Sequence, residues 1–396
     1  MDAVIVSAVR SPIGRAYKGS LAGVRADDLA AQVVAKALAK VPGLDPATLD
    51  DLILGCAQPA GEQGHNLGRQ VALQLGLDMV PGTTVQRYCA SSLQAIRMAF
   101  HAIRAGEGHA FVAAGAEVVS HYPAGKADGM PGTRNPIWPE RSSTRPWRDP
   151  RERGELPDVY IAMGDTAENV ADLCGITRRE QDEFAVRSQN NAEKAQADGF
   201  WELDITPVTL PGGGELRRDD GPRAGVTLDK VSALAPVFRP DGTVTAGNCC
   251  PLNDGAAAVV VMSAARAREL GLTPLARIVS TGVSALSPEI MGLGPVEASR
   301  RALAHAGMAV GDVDLIEINE AFAAQVIPSV RQLGADPERV NVHGGAIALG
   351  HPFGMTGARI ATTLLNGLVH RDATIGLETM CTAGGQGMAM VVERLS

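Results

Sequence analysis

A chain of 396 residues is longer than one ordinary hydrophobic core accommodates, so two or three packed units are expected. Its formal net charge of -8 gives no general attraction to nucleic acid or to an anionic membrane. No apolar run is long enough to insert in a bilayer, MDAVIVSAVR lacks the basic-then-apolar order of a signal peptide, and the six cysteines show neither a CxxC pair nor zinc-ligand spacing to a histidine; a reduced, cytoplasmic setting with no metal is expected.

In chain order, residues 2–9 (DAVIVSAV) read as a buried strand and Leu29 to Ala39 as an amphipathic helix closed by Pro42 and Gly43. Leu52 to Gly55 is the next strand, and after the loop GEQGHNLGRQ a helix carries Val71, Leu73 and Leu75. Thr83 to Tyr88 alternate like a short strand, while Leu93, Ile96, Phe100 and Ile103 fall at helical spacing, which leaves Cys89 at the joint. A thiol there faces unpaired amides and the positive end of a helix dipole, both of which favour thiolate. The same position also suits a small buried hydrophobe. His109 to Gly115 is an apolar strand, so strands and helices alternate as in a mixed or parallel sheet covered by helices.

From about residue 275 this order returns: ARIVSTGV is a strand, Glu297 to Ala306 a helix ending at Gly307, and DLIEI matches the earlier DLILG. The same shift carries Cys89 onto the neighbourhood of His351. A duplicated α/β unit would put corresponding loops of the two halves at one surface, Cys89 and His351 among them. Between the halves, residues 120–157 hold seven prolines, several arginines, Trp138 and Trp147, and read as a covering loop. Thr166 to Leu173 and Arg178 to Asp198 read as helices, and GNCCPLNDGAAAVVVM runs from a turn into a strand of the first half's sheet. The expected units are 1–119 with 246–270, an insertion over 120–245, and 271–396.

Three further stretches carry chemistry. NVHGGAIALGHPFGMTGAR has five glycines and sets His351 between Gly350 and Pro352, ahead of a helix from about Thr356; this histidine is a base, a charge partner, or a ring satisfied by backbone. LETMCTAGGQGMAMVVE places Cys381 after an apolar strand. EINEAFAAQ puts Asn319 and Glu320 between a strand and a helix, where the ordinary role of an isolated Asn is a cap. Two cysteines and a histidine at strand ends suit a covalent nucleophile with a separate acid/base.

Taken together, CASSLQAI, GNCCPLNDGAA, NEAFAAQ, GGAIALGHPFGMTGAR and CTAGGQG, in this order and nearly end to end, resemble the thiolases of the acetyl-CoA acyltransferase family. The resemblance implies a five-layered αβαβα fold of two similar halves with an inserted loop domain. It implies Cys89 as the nucleophile that becomes an acyl thioester, His351 as its activating base, Cys381 as the second acid/base, and Asn319 holding a water that binds the thioester oxygen with His351. The amides of Cys89 and Ala383 would form an oxyanion hole. Cys250, Met163 and Arg223 would lie along the path of the CoA substrate, with Arg223 near its nucleotide. Coenzyme A is then a co-substrate and no cofactor is permanently bound; acyl-CoA is the partner, and a homodimer or homotetramer is the expected assembly. Several positions depart from the pattern: Ala383 stands where many relatives have Gly, Cys250 where Ser is common, GAEVVSHYP replaces a methionine-containing stretch, and YIAMG lacks a histidine before Met163.

The leading reading is CoA-dependent cleavage of a 3-ketoacyl-CoA. Condensation of two acetyl-CoA is the rival within the same chemistry, and a catalytically silent acyl-CoA-binding protein the rival of another class. A decarboxylating ketoacyl synthase would carry histidine in place of Cys381.

Overall fold

The computed structural model describes residues 1–140 and 146–396, so the part of the 120–157 stretch at 141–145 lies outside the described residues. The first half contributes β1 (Ala3–Arg10), α1 (Ala26–Ala39), β2 (Asp51–Gly55), α2 (Leu67–Gln74), β3 (Gly82–Val85), α3 (Ser91–Ala105) and β4 (Ala110–Val118). After 3-10 turns at Val119–Ala124 and Ala127–Gly129 come α4 (Met163–Cys174) and α5 (Arg178–Ala197), the latter opened by a Thr177/Glu180 capping box. β5 (Asn253–Ser263), β6 (Ala276–Ala285), α6 (Gly294–Ala306), β7 (Leu315–Ile318), α7 (Ala323–Leu333), α8 (Thr356–His370), β8 (Ile375–Thr382) and β9 (Gln386–Arg394) follow.

The nine strands pair in the order β7-β8-β9-β6-β1-β5-β4-β2-β3, with Gly14–Arg15 added beside β5. β1 joins the halves through two residue pairs with β6, Val4 to Arg277 and Ile5 to Ala276. On either side of that seam the topology repeats. β4, β2 and β3 are parallel to one another and antiparallel to β5; β8 and β7 are parallel, antiparallel to β9, and Ile316 makes a parallel bridge to Val340 where β3 would stand. The repeated order expected from DLILG and DLIEI is therefore present in the sheet.

Strand alternation produces the layering. On β4 and β5, Phe111, Ala113, Val259 and Val261 face a core shared with Leu93, Ile96 and Phe100 of α3 and Ile360, Leu364 and Leu368 of α8. Val112, Ala114, Val260 and Met262 face the other way, onto Leu29 and Val33 of α1 and Leu67 and Val71 of α2. In the second half Ile316, Ile318, Leu377 and Val391 pack on Leu303 of α6 and Val326 and Val330 of α7. The period of two along each strand thus divides apolar side chains between an outer helix layer and the central pair α3/α8, giving αβαβα.

Two details differ from the sequence reading. Leu73 is exposed and Leu75 only partly covered, because α2 turns Leu67, Val71 and Ala72 to the core. The strand before Cys89 ends at Val85, and Gln86 to Ala90 form a bend rather than extended chain.

Candidate active site

Cys89 lies in the bend, two residues before α3, with Ala90 as the helix N-cap. Ser91 clamps this elbow: its hydroxyl accepts the Arg87 N–H (2.9 Å) and donates to the Tyr88 carbonyl (2.6 Å). Tyr88 is held at φ 44°, a left-handed conformation that a bulky residue adopts only when its surroundings enforce it. Arg87 then reaches across, Nε to Gln94 Oε1 (3.1 Å) and Nη1 to Gln386 Oε1 (2.7 Å), while Gln386 Nε2 donates to the Ala383 carbonyl (3.3 Å). The elbow of the first half is in this way tied to the turn after Cys381 in the second. The amides of Ala383 and of Cys89 itself lie near enough to the Cys89 sulfur to lower its pKa.

The protonation state of Cys89 departs from the sequence expectation. Those two amides pull its pKa down, but desolvation outweighs them and the nearby Glu117 charge adds to it, so the thiol is pushed up to about 12. Cys89 retains some solvent-accessible surface yet packs on the central core, and burial there favours the thiol over the thiolate that a helix N-terminus alone would favour. Burial also pushes up Cys381, with Cys89 close enough to contribute, and Cys250, to which Cys249, Cys89 and Cys381 all contribute. Cys89, Cys250 and Cys381 are therefore close enough to act on one another's charge.

His351 is reached by a loop that settles onto β4 and α3. A side-chain carbon at Gly115 would lie 2.2 Å from the Gly354 carbonyl, and one at Gly357 would lie 2.4 Å from the Leu93 amide, so only glycine permits either approach. The Ala358 N–H donates to Ser92 Oγ (2.9 Å), and the His351 N–H to Asn253 Oδ1 (3.0 Å). The Thr356 hydroxyl gives its proton to the Pro352 carbonyl (2.7 Å), so toward His351 Nδ1, 2.6 Å away, it can only accept. That assigns the proton to Nδ1 and leaves Nε2 unprotonated, an acceptor. Burial, then the Arg359 charge, lowers the His351 pKa to about 3, and the ring is a neutral base.

Asn319 is not a helix cap. Its Nδ2 stands 3.2 Å from His351 Nε2, its Oδ1 is buried without a protein partner, and the N-cap of α7 is Phe322. Glu320 is not a cap either: it accepts from Ser188 Oγ (2.6 Å), Asn341 Nδ2 (2.8 Å) and the Ile347 N–H (3.0 Å). Burial of polar groups against partners distant in sequence overrides the local capping preference here.

Of the remaining residues singled out in the sequence, Met163 opens α4 and packs with Cys249, Phe322 and Cys381. Arg223 is exposed beside an open cleft of about 750 Å3 that Trp201, Arg217 and Arg218 also line. Its N–H donates to Gln189 Oε1 (3.2 Å), and Gln189 Nε2 donates to the Ile347 carbonyl (3.3 Å), four residues before His351. Sequence reasoning passed over Glu117, Asn253, Thr356 and Arg359. A signal existed for Glu117, the single charge in the apolar strand AFVAAGAEV. Nothing local marked Thr356 or Arg359.

The chain matches the family descriptions Thiolase, N-terminal domain, over residues 3–265 and Thiolase, C-terminal domain, over 272–394. It is 47% identical over 400 residues to an acetyl-CoA acetyltransferase of Cupriavidus necator, covering 99% of each chain. A 3-ketoacyl-CoA thiolase of Bacillus subtilis is 45% identical with 99% of each covered, and a beta-ketoadipyl-CoA thiolase of Escherichia coli is 44% identical with 100% of each covered. The crystal structure of the Bacillus anthracis acetyl-CoA acetyltransferase superposes with a TM-score of 0.88 at 40% identity, over 100% of this chain and 99% of that one.

Proposed function

The chain belongs to the thiolase family of acyltransferases, and on that premise we propose that it cleaves 3-ketoacyl-CoA with free CoA, giving acetyl-CoA and a shortened acyl-CoA. The observation that carries the reading is the pair of amides, Ala383 and Cys89, beside the Cys89 sulfur: donors there can stabilise the negative charge of an oxygen on a carbon bonded to that sulfur.

His351 Nε2 takes the thiol proton as the Cys89 sulfur bonds to the 3-keto carbon. The carbon–carbon bond then breaks, its electron pair forming the enolate of acetyl-CoA, while the acyl group stays on Cys89 as a thioester. A water held by Asn319 and protonated His351 would offer hydrogen bonds to the enolate oxygen, and Cys381 supplies the proton to carbon. Cys381, now a thiolate, takes the proton of an incoming CoA thiol, whose sulfur displaces Cys89 from the acyl carbon. The high resting pKa of both cysteines suits this order, since neither carries charge until bond-making demands it. Met163 and Cys250 would border the pantetheine and acyl path, and Arg223 the nucleotide. A homodimer or homotetramer is the proposed assembly, with the glycine-rich loop around Gly61 to Asn66 at the contact.

The same steps run backwards condense two acetyl-CoA, a reading favoured by the relatives named acetyl-CoA acetyltransferase. Ala162 in the place before Met163 leans toward cleavage. A kinetic panel of 3-ketoacyl-CoAs graded in length, with one dicarboxylyl member, should identify the preferred acyl group. Incubation with acyl-CoA should leave an acyl mass on the peptide carrying Cys89, and a bound thioester forming at the wild-type rate in Cys89→Ala would overturn the assignment.

A further inference from the structure

Glu117 ends β4 fully buried, and six donors from four segments converge on its two oxygens. The N–H groups of Ala57 (2.7 Å) and Gly354 (2.9 Å) reach Oε2. The Gln58 N–H (3.3 Å), Gln63 Nε2 (2.8 Å), the Tyr122 hydroxyl (2.8 Å) and Cys56 Sγ (3.7 Å) reach Oε1. Val118 N–H donates to Gln63 Oε1 (2.6 Å), which fixes the Gln63 amide with its nitrogen toward Glu117. Four of the six partners are N–H groups that only donate, so the cage is built for a carboxylate and offers a protonated carboxyl little. Burial raises the Glu117 pKa, and the donors from Ala57, Tyr122, Gln63 and Gly354 oppose that rise.

These donors belong to the parts of the site that must hold still. Gly354 is three residues beyond His351, and Tyr122 begins the covering loop. Gln58 exchanges two hydrogen bonds with Asp128 of that loop, Nε2 to Oδ2 (2.6 Å) and the Asp128 N–H to Oε1 (3.0 Å). We propose that Glu117 is a positioning residue for the thiolase reaction: its carboxylate ties the histidine loop, the covering loop and the 56–58 loop together, and its negative charge opposes a second one at Cys89. This rests on the reading of Cys89 as the acyl carrier.

Besides His351, whose ring is neutral, the groups whose charges act on or with Cys89 are Glu117 from β4, Cys381 from β8, Cys250 ahead of β5, Tyr88 of the elbow and Tyr122 of the covering loop. The cysteines and tyrosines among them all have raised pKa values and are neutral near pH 7, so Glu117 supplies the fixed charge. Burial first, and that charge in addition, holds the pKa of the nucleophile up. When the sulfur pair forms the bond to the substrate carbon, the carbonyl pair moves onto the substrate oxygen, where the two amides can donate to it.

The test follows carbamidomethylation of the Cys89 peptide by iodoacetamide across pH, beside thiolysis turnover, in wild type, Glu117→Gln and Glu117→Asp. Removing the charge should move the pH midpoint of Cys89 labelling toward acid, so that Glu117→Gln labels ~10-fold faster at pH 8, one pKa unit being tenfold in thiolate. Turnover should fall at least ~10-fold in both variants, a loss of the size expected when catalytic groups are misplaced. Glu117→Asp keeps the charge and should keep the wild-type midpoint. Faster labelling of Glu117→Gln at every pH with the midpoint unmoved would show a merely structural role and overturn the proposal. If Glu117→Gln does not fold, Glu117→Asp decides alone, and turnover within about twofold of wild type overturns it. Full thiolysis by Cys89→Ala would instead defeat the reading of Cys89, which the Glu117 variants do not address.

Discussion

Cys89 and Cys381 bring the same functional group to one site, and their surroundings suit them to different work. The amides of Ala383 and Cys89 serve the Cys89 sulfur, whereas Cys381 has only its own amide and sits fully buried among Met163, Phe322 and Cys249. Cys381→Ser should therefore still accept an acyl group on Cys89 from acyl-CoA, yet lose carbon–carbon cleavage by ~100- to 10,000-fold, the usual contribution of a general acid or base. Mass measurement of the Cys89 peptide beside thiolysis rates checks both halves, and a cleavage loss below about tenfold would remove Cys381 from the mechanism. His343 carries a different consequence. Its ring stacks on Phe200 with centroids 3.7 Å apart, neither nitrogen has a hydrogen-bond partner among the described residues, and burial lowers its pKa from 6.5 to about 3. The folded state holds this ring neutral while the unfolded chain takes up a proton below its own pKa. The stability is present above pH 6.5 and lost as pH falls toward 3. His343→Phe should lose less melting temperature between about pH 7 and pH 5 than wild type does. An unchanged difference would place the acid sensitivity in other groups, such as His351, which titrates with the same sign in both proteins.

At the scale of elements, the first turn of α8 orients His351, because the Thr356 hydroxyl that fixes the imidazole tautomer is the first residue of that helix. Thr356→Val keeps the shape and removes the acceptor, leaving a buried N–H unpaired at a cost of about 1–3 kcal/mol. Turnover should drop on the order of tenfold with KM little changed, because the Nε2 lone pair is no longer enforced, and Thr356→Ser should restore it. Equal turnover in wild type and Thr356→Val would detach the hydroxyl from the base. None of this was legible in HPFGMTGAR, where Thr356 reads as the start of a helix and nothing more. What the sequence did disclose is whatever depends on one element at a time. Leu93, Ile96, Phe100 and Ile103 are all buried on α3 as their spacing requires, and Gly307 closes α6 at φ 68°. What it hid depends on elements meeting. Asn319 reads as a cap from its neighbours and acts as a partner of His351 only because β7 and the histidine loop converge. Cys89 reads as an activated thiol from its helix, but two halves of the chain close over it and desolvation wins. Cys89, His351 and Cys381 could be singled out in advance because glycines and strand ends mark them; Glu117 and Thr356 act through contacts with residues 237 and 5 positions away.

The whole molecule sets two sides of the proposed substrate path on different supports, and that separation can be measured. On one side, Trp147 of the covering stretch donates from Nε1 to Glu289 Oε2 (2.6 Å), and the buried Glu289 also accepts the Asp158 N–H (2.9 Å). Glu289 lies ahead of α6, so the loop inserted after the first half is pinned to the second half. Proline holds its backbone to few conformations even without a core of its own, and an indole fixed by one hydrogen bond can act as a rigid wall for an acyl chain. On the other side, Arg223 stands exposed in its cleft and connects to the histidine loop through Gln189. Perturbing the first support should therefore change which acyl groups are accepted, and perturbing the second should change the demand for CoA. Trp147→Ala should shift the chain-length profile of 3-ketoacyl-CoA thiolysis and leave the KM for free CoA nearly intact. Trp147→Phe, which loses the hydrogen bond but keeps most of the ring, should shift it less. Arg223→Ala should raise the KM for CoA alike for every chain length, by ~1 kcal/mol or about fivefold, as expected of an exposed charged contact. Light scattering on each variant separates these effects from loss of assembly. Equal fractional losses over all acyl chains in Trp147→Ala, with the oligomer intact, would mean that the loop only braces the two halves and that the wall facing the acyl chain is built elsewhere.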